Sequence, residues 1–283
     1  MRYVLAVAST GNFTRAAKQC LVVQSALSHQ IAALERELGT KLFARTSRRV
    51  GLTAAGEAFL PAARACLEAA DRAAADAAAA TGEIRGRLAV GMIPTVTGID
   101  LPAALRDFHL RHPQVRIVLR SAGSDELAAG IRAGDVDVAV LGLPESVEPR
   151  GVRFRALNHD KHVAVVARDH PLAALDRVEL TTLAAEPFAD FPAGTAGRAQ
   201  SDLAFAAAGL AREVAFEAMA VDLIFGLIRQ GLAVALLPSR FVAGLPGLVT
   251  IPVVDGPGRV EYLAWSDFNP TPAAKAFLEA AAR

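Results

Sequence analysis

The pattern of the chain changes at Gly86, and that change restricts the fold more than any other feature. Before it, nearly every apolar spacing is helical. After it, short apolar runs alternate with amphipathic stretches. "RLAVGM" reads as a buried strand. "TGIDLPAALRDFHLRH" reads as a helix with Asp100 as its cap and Pro102 in the first turn. "VRIVLR" is a strand, "SDELAAGIRAG" a helix opened by Ser124, and "VDVAVLG" a third strand. Strands alternating with helices need crossover connections, hence parallel pairing and a doubly wound sheet. A second set follows: "HVAVVA", "FADFP", a helix over "RAQSDLAFAAAG", "EVAFE", a helix over "VDLIFGLIRQ", "LAVALLP" and "LVTIPV". The strand "VEYLAWS" and the helix "PAAKAFLEAAA" return to the first set. The expectation is a two-lobed α/β domain over residues 86–283, with lobe I about 86–160 and 262–283 and lobe II about 161–261. Two crossovers leave a cleft between the lobes.

Residues 53 to 82 form one Ala-rich stretch. Thr53 is a natural N-cap, and Glu57 lies in the first turn, where the helix dipole favours an acid. Phe59, Leu60, Ala63, Leu67, Ala70, Ala74 and Ala78 form one apolar stripe, with Pro61 as a bend point. A long helix cannot bury such a stripe alone, so pairing with a second chain is expected. This places a dimerising linker helix at 59–85.

In front of it, "FTRAAKQCLVVQSALSHQIAALERELG" contains two helical seams. Phe13, Ala16, Ala17, Cys20 and Leu21 make the first. Leu27, Ile31, Leu34 and Leu38, stepping by four, three and four, make the second. The connection is a few residues around Leu21 to Val23, and Ala17 lets the helices approach, so the pair reads as a helix-turn-helix. The face opposite Leu27 and Ile31 carries Ser25, Ser28, His29 and Gln30, preceded by Gln24. These groups donate and accept with almost no charge, as base edges in a major groove require. Gly39 ends the helix. "KLF" and "VGL" then read as short strands around "ARTSRR", where Arg45, Arg48 and Arg49 cluster as a phosphate-gripping wing would need. Charge agrees: residues 1–60 carry eight Lys and Arg against three acids, a net +5, while the remainder balances at −4.

Two cysteines, Cys20 and Cys66, are too few for a disulfide framework and lack metal-site spacing. The start, "MRYVLAVAST", is too short an apolar run for a signal peptide and reads as a helix. No run reaches transmembrane length, so cytoplasm is the expected location and no membrane partner is expected.

The run from Phe13 to Leu60 shows F-T-x-A-A, then Q-x-A-L-S-x-x-I-x-x-L-E-x-x-L-G, then L-F-x-R-x-x-R-x-x-x-L-T-x-A-G, in order. It resembles the winged helix-turn-helix of the LysR-type transcriptional regulators, over residues 1–58. The resemblance implies a linker helix, then a two-lobed periplasmic-binding-protein-like effector domain. It implies a sequence-specific DNA-binding regulator, not an enzyme, acting as a homodimer or a dimer of dimers (a homotetramer). Promoter DNA and a small-molecule effector are its partners, with RNA polymerase a further candidate. The implied DNA-contacting set is Thr14, Arg15, Gln24, Ser25, Ser28, His29, Gln30, Arg45, Arg48 and Arg49. Three positions depart from the family pattern. His29 stands where Arg is common, Ser25 where Pro is frequent, and Val23 where Ser or Thr usually caps the helix. Ser25 is expected to cap one turn later.

In a doubly wound lobe, ligands bind beyond the C-terminal ends of strands. The loops there give Thr95, Thr97, Ser121, Phe191, Thr195 and Met219 as effector contacts. Hydroxyls suit a small organic acid, and Phe191 and Met219 leave room for an aromatic metabolite. Only Arg198 offers a cation near these loops, so a dicarboxylate is not signalled. "NHDKH" (Asn158 to His162) marks the crossover. It lacks a third His or Cys at ligand spacing, so no metal or other cofactor is expected. Neither cysteine lies in the effector domain, so a peroxide-sensing cysteine pair of the kind some relatives use is absent. The competing reading is a two-lobed solute-binding protein or enzyme with an accidental helical front end.

Overall fold

The computed structural model describes residues 1–45, 50–268 and 270–281, and the chain divides into two compact units, Met1–Thr81 and Gly82–Arg283. The wing arginines Arg48 and Arg49 and the side chain of Arg45 lie outside the described residues.

In the first unit, α1 (Arg2–Thr10), α2 (Phe13–Gln19) and α3 (Gln24–Glu37) precede β1 (Phe43–Arg45), β2 (Val50–Leu52) and α4 (Ala54–Ala79). Val4, Val7, Phe13, Ala16, Ala17, Leu27, Ile31, Leu42 and Phe43 form its core. Phe13 and Phe43 meet edge-on at 5.9 Å. β1 and β2 pair antiparallel, with Phe43 opposite Leu52. α4 is capped by Thr53, whose Oγ accepts from Gly56 N at 3.0 Å, and it runs across Pro61 without a break. Of the expected stripe on α4, Ala63 and Ala78 are buried, whereas Ala70 and Ala74 are exposed.

The turn between α2 and α3 departs from expectation. Leu21 is 92% exposed with φ +56°, so it is no part of the apolar seam. The N–H groups of Val22 and Leu21 bond back to the carbonyls of Ala17 and Lys18, which makes Leu21 the left-handed residue of a Schellman turn, a place that favours Gly. α3 begins at Gln24 with Val23 as N-cap and no side-chain cap, so Ser25 does not take over that role.

In the second unit, β3 (Gly86–Met92), α5 (Leu101–Arg111), β4 (Val115–Ser121), α6 (Ser124–Ala133), β5 (Val138–Pro144) and β6 (Arg153–Ala167) come first. A short 3₁₀ turn (Pro171–Ala174) precedes β7 (Val178–Glu179), α7 (Leu180–Leu183), β8 (Pro187–Asp190), α8 (Ala196–Ala207), β9 (Glu213–Glu217) and α9 (Val221–Arg229). β10 (Ala235–Pro238), α10 (Ser239–Val242), β11 (Leu248–Val254), β12 (Gly258–Trp265) and α11 (Pro272–Ala280) complete it. β4, β3 and β5 are parallel neighbours, as the alternation required. β12 lies antiparallel between β5 and β6. β6 is the joint of the domain. It pairs with β12 from Arg153 to Lys161 and with β10 and β11 from His162 onward. The lobe I core includes Leu88, Val90, Phe108, Val140, Leu263 and Phe277; the lobe II core includes Val166, Phe188, Phe205, Ile224 and Leu236. Asp100 caps α5 as expected, accepting from Ala103 N at 3.0 Å. Ser124 does not cap α6, whose N-cap is Gly123. Instead Ser124 Oγ bridges the N–H and C=O of Gly142 on β5, at 3.0 and 2.9 Å.

Candidate nucleic-acid interface and effector cleft

At the start of α3, Gln24, Ser25, His29 and Gln30 are exposed and Ser28 is half-buried, while Leu27 and Ile31 lie buried on the opposite face. Amphipathic spacing produces this division: the apolar side is fixed by the core, so the remaining positions must face outward. α2 presents Thr14 and Arg15 at its N-terminus, where Asn12 Oδ1 accepts from both of their backbone N–H groups at 2.9 and 3.0 Å. Arg15 Nη2 donates to Thr10 O at 2.8 Å, so its side chain also closes the end of α1.

The wing is tied to α3 by one buried acid. Glu35, 4% exposed, accepts from Lys41 Nζ (2.8 Å), Leu42 N (2.9 Å) and Phe43 N (3.2 Å). Desolvation pushes this carboxyl up, but Lys41 and the two N–H groups outweigh it and hold the group below the usual Glu value. Thr53 N donates to Leu42 O at 3.0 Å and Thr53 Oγ1 to Lys41 O at 2.6 Å, which brings the first turn of α4 against the wing.

In the second unit, the loops after β3 and β4, with Gly142 of β5, line a cleft together with the loops after β8 and β9. An inner cavity of about 30 Å³ is lined by Ile93, Thr95, Ser124, Gly142, Phe191, Thr195, Gln200, Met219 and Arg259, among others. An outer region of about 660 Å³ shares Gly123, Thr195 and Met219 with it and adds Ser121, Ala122, Asp125, Glu126, Ala196 and Ala220. Of the six expected effector contacts, Thr95, Phe191, Thr195 and Met219 line the inner cavity, and Ser121 lines only the outer one. Thr97 lines neither: its N–H and Oγ1 both bond Glu261, the hydroxyl at 2.6 Å. Thr95 is itself engaged, accepting from Arg259 Nη1 at 2.6 Å on Oγ1 and from Nη2 at 2.7 Å on its carbonyl.

Arg198 is not the cation of this site. It bonds Asp202 (2.9 Å), Glu217 (3.1 Å) and Phe191 O (3.3 Å) in a network that also holds Arg212 and the buried Asp190. The cleft cation is Arg259, which pairs with the fully buried Glu261. Sequence reasoning passed over both. Their signal was a charged pair at i and i+2, on one face of a strand otherwise filled with buried apolar residues. Burial alone pushes Arg259 below its usual value, although Glu261 and Asp160 oppose the shift. At the crossover, His162 is buried with its ring Nδ1 3.1 Å from Pro257 O, and Asp160 accepts from Ser239 Oγ (2.6 Å) and Arg240 N (3.1 Å). His159 is exposed and apart from them.

The LysR substrate binding domain family matches residues 81–283, and the bacterial regulatory helix-turn-helix protein, lysR family, matches residues 1–57. The chain belongs to the LysR family of transcriptional regulators. It is 35% identical to a probable hydrogen peroxide-inducible genes activator of Mycobacterium avium, over 86% of this chain and 78% of that protein. It is 33% identical to the transcriptional dual regulator GltC of Bacillus subtilis, over 89% and 85%. Full-length CbnR complexed with its target DNA superposes with a TM-score of 0.73 at 27% identity, covering 100% of this chain and 97% of that one. These relatives are regulators, so the reading as a solute-binding protein or enzyme is set aside. Two letters of the LysR-family motif have a physical reason in this chain: the Glu of L-E-x-x-L-G is the wing clasp Glu35, and the Gly of L-T-x-A-G is Gly56, where the backbone of Leu42 leaves no room for a Cβ. Among the described residues, no helix is long and apolar enough to cross a membrane.

Proposed function

We propose that this LysR-family regulator reads a promoter operator with the N-terminal end of α3 in the major groove, in the cytoplasm, as a homodimer or dimer of dimers joined through α4. A small organic acid or aromatic metabolite held between lobes I and II modulates that binding, and RNA polymerase is the partner through which it acts. The carrying observation is the exposed start of α3, where Gln24, Ser25, His29 and Gln30 offer hydrogen bonds with almost no formal charge. Thr14 and Arg15 at the start of α2, with Arg45, Arg48 and Arg49 in the wing, supply the phosphate contacts. The test is fluorescence anisotropy with a promoter fragment over a series of salt concentrations. The reading expects log K to fall linearly with log salt, and His29→Ala to weaken operator binding about five- to tenfold with the slope unchanged. Absence of binding at low salt overturns the reading. Unchanged affinity removes His29 from the contact set.

A further inference from the structure

Two exposed apolar side chains stand at the tip of α3, and both are locally unfavourable choices. Leu21 is 92% exposed at φ +56°. Val23, 68% exposed, is the N-cap of α3 and makes no side-chain cap hydrogen bond. Gly at the first position, and Ser, Thr, Asn or Asp at the second, would each stabilise the local backbone. Val22, between them, packs against the core of the first unit, whereas Leu21 and Val23 are turned to solvent. Ala26, three residues beyond Val23 and so on its side of the helix, is exposed as well. Packing does not account for this pair. A strained residue beside an uncapped helix start persists where something outside the fold uses it.

We propose that this apolar turn reads thymine: Leu21 and Val23 pack against C5-methyl groups in the major groove, beside the bases that Gln24 and Ser25 reach. This rests on the reading of α3 as the helix that enters the groove. A helix entering by its N-terminal end carries its N-cap foremost, so Val23 arrives at the depth of Gln24 and Ser25. The base edges of that groove offer one apolar feature, the thymine methyl. Val and Leu have no donor or acceptor with which to meet anything else there. Composition argues against phosphate as the partner, since the sequence holds no Lys, Arg, Asp or Glu between Lys18 and Glu35. Val23, Gln24, Ser25 and Ala26 are exposed in unbroken succession. The apolar surface is thus continuous with the polar face of α3, and operator DNA is the occupant it fits.

The test uses the full-length protein. Selection from a random duplex pool supplies a preferred DNA. Each thymine in it is then replaced by uracil, which removes the methyl and keeps every hydrogen-bonding group of the base edge. Fluorescence anisotropy is expected to show at least one thymine whose methyl contributes about three- to fivefold in affinity, as burial of one methyl group does. In Val23→Ser and in Leu21→Gly that thymine-to-uracil ratio falls toward unity. Both substitutions relax the local backbone, Ser by capping α3 and Gly by accepting the left-handed φ, so the loss does not come from a damaged fold. Hydrogen exchange of α2 and α3 no faster than in the parent checks this. A ratio that survives in either variant overturns the proposal for that residue. If selection enriches a sequence but all its uracil forms bind as well as the parent duplex, the proposal falls while α3 remains a sequence reader. If selection enriches no sequence, that reading falls too.

Discussion

Gly56 sits in the first turn of α4, and a Cβ placed there would lie 2.1 Å from Leu42 O and 3.0 Å from Leu52 Cδ2. Real Cβ contacts essentially never fall below 3.0 Å, so Gly56→Ala requires the Leu42 carbonyl to retreat by about 1 Å. It is poorly placed to do so. Leu42 O accepts from Thr53 N at 3.0 Å, and Leu42 N is held by Glu35 at 2.9 Å. Helix propensity alone argues the other way, since Ala in a helix interior is favoured over Gly by about 1 kcal/mol. Overpacking costs about 1–3 kcal/mol, and a strained or broken hydrogen bond about 1 more. The expected net is a destabilisation of about 2 kcal/mol. Hydrogen exchange followed by mass spectrometry, read on peptides from α1–α3, reports the first unit separately from the second. The internal control is Gly226→Ala in α9, where the new Cβ meets nothing within 4 Å; it is expected to stabilise the second unit by about 0.5–1 kcal/mol. A Gly56→Ala protein protected as well as the parent would refute the steric argument.

Four further outcomes are expected. Leu21→Gly relieves about 1–2 kcal/mol of left-handed strain against about 0.5–1 of unfolded-chain entropy, and since Leu21 is 92% exposed no packing is lost; slower exchange of α2 and α3 by a net 0.5–1 kcal/mol checks it. Glu35→Gln replaces a charged acceptor of three bonds, so the wing loosens by about 1–3 kcal/mol; because the folded carboxyl lies below its ordinary value, the stability it confers is present above the unfolded pKa and lost as pH falls through the folded one, and the variant is expected to flatten that limb in acid titration. His162 is held neutral by burial first and by Arg259 second, its pKa lowered from 6.5 to about 4. The unfolded chain takes up this proton first, so stability of the second unit falls by about 3 kcal/mol as pH drops from 6.5 to about 4, and His162→Gln removes that fall in a pH series of urea midpoints. Arg212, 4.8 Å above the Phe188 ring and 2.7 Å from buried Asp190, leaves that carboxylate with Arg198, 4.0 Å away, as its remaining cation when changed to Met, for a loss of about 2–3 kcal/mol measurable by urea unfolding.

The first unit was legible because its apolar positions repeat with one period and because short helices leave few ways to bury Leu27 and Ile31. The misreading of Leu21 has a local cause. It continues the α2 period by one residue, and nothing in the apolar pattern distinguishes a seam residue from a turn residue one step beyond it; only the left-handed φ does. The alternation after Gly86 predicted parallel pairing of β4, β3 and β5, which the structure has. The polar residues of the cleft were harder. Thr97 and Thr95 look alike in sequence, yet the strand facing them decides their places: Glu261 takes the N–H and hydroxyl of Thr97, and Arg259 takes the hydroxyl and carbonyl of Thr95, which lines the cavity. Contacts separated by more than 160 residues carry no periodic signature. Arg198 was singled out because it stands beside the right loop, and its acids arrive from α8 and β9.

β6 has a mechanical consequence. Its hydrogen bonding passes from β12 to β10 and β11 between Lys161 and His162, with no loop at the transition. There His162 N donates to Pro257 O at 2.9 Å, tying β6 to the short segment 255–257 that joins β11 to β12. Rotation of one lobe against the other therefore twists the continuous strand β6 together with the segment 255–257 bonded to it, with a restoring torque that grows with angle. Such a joint behaves as a spring rather than a pin. Any change of lobe angle that a ligand brings about must be supplied by its contacts against that torque.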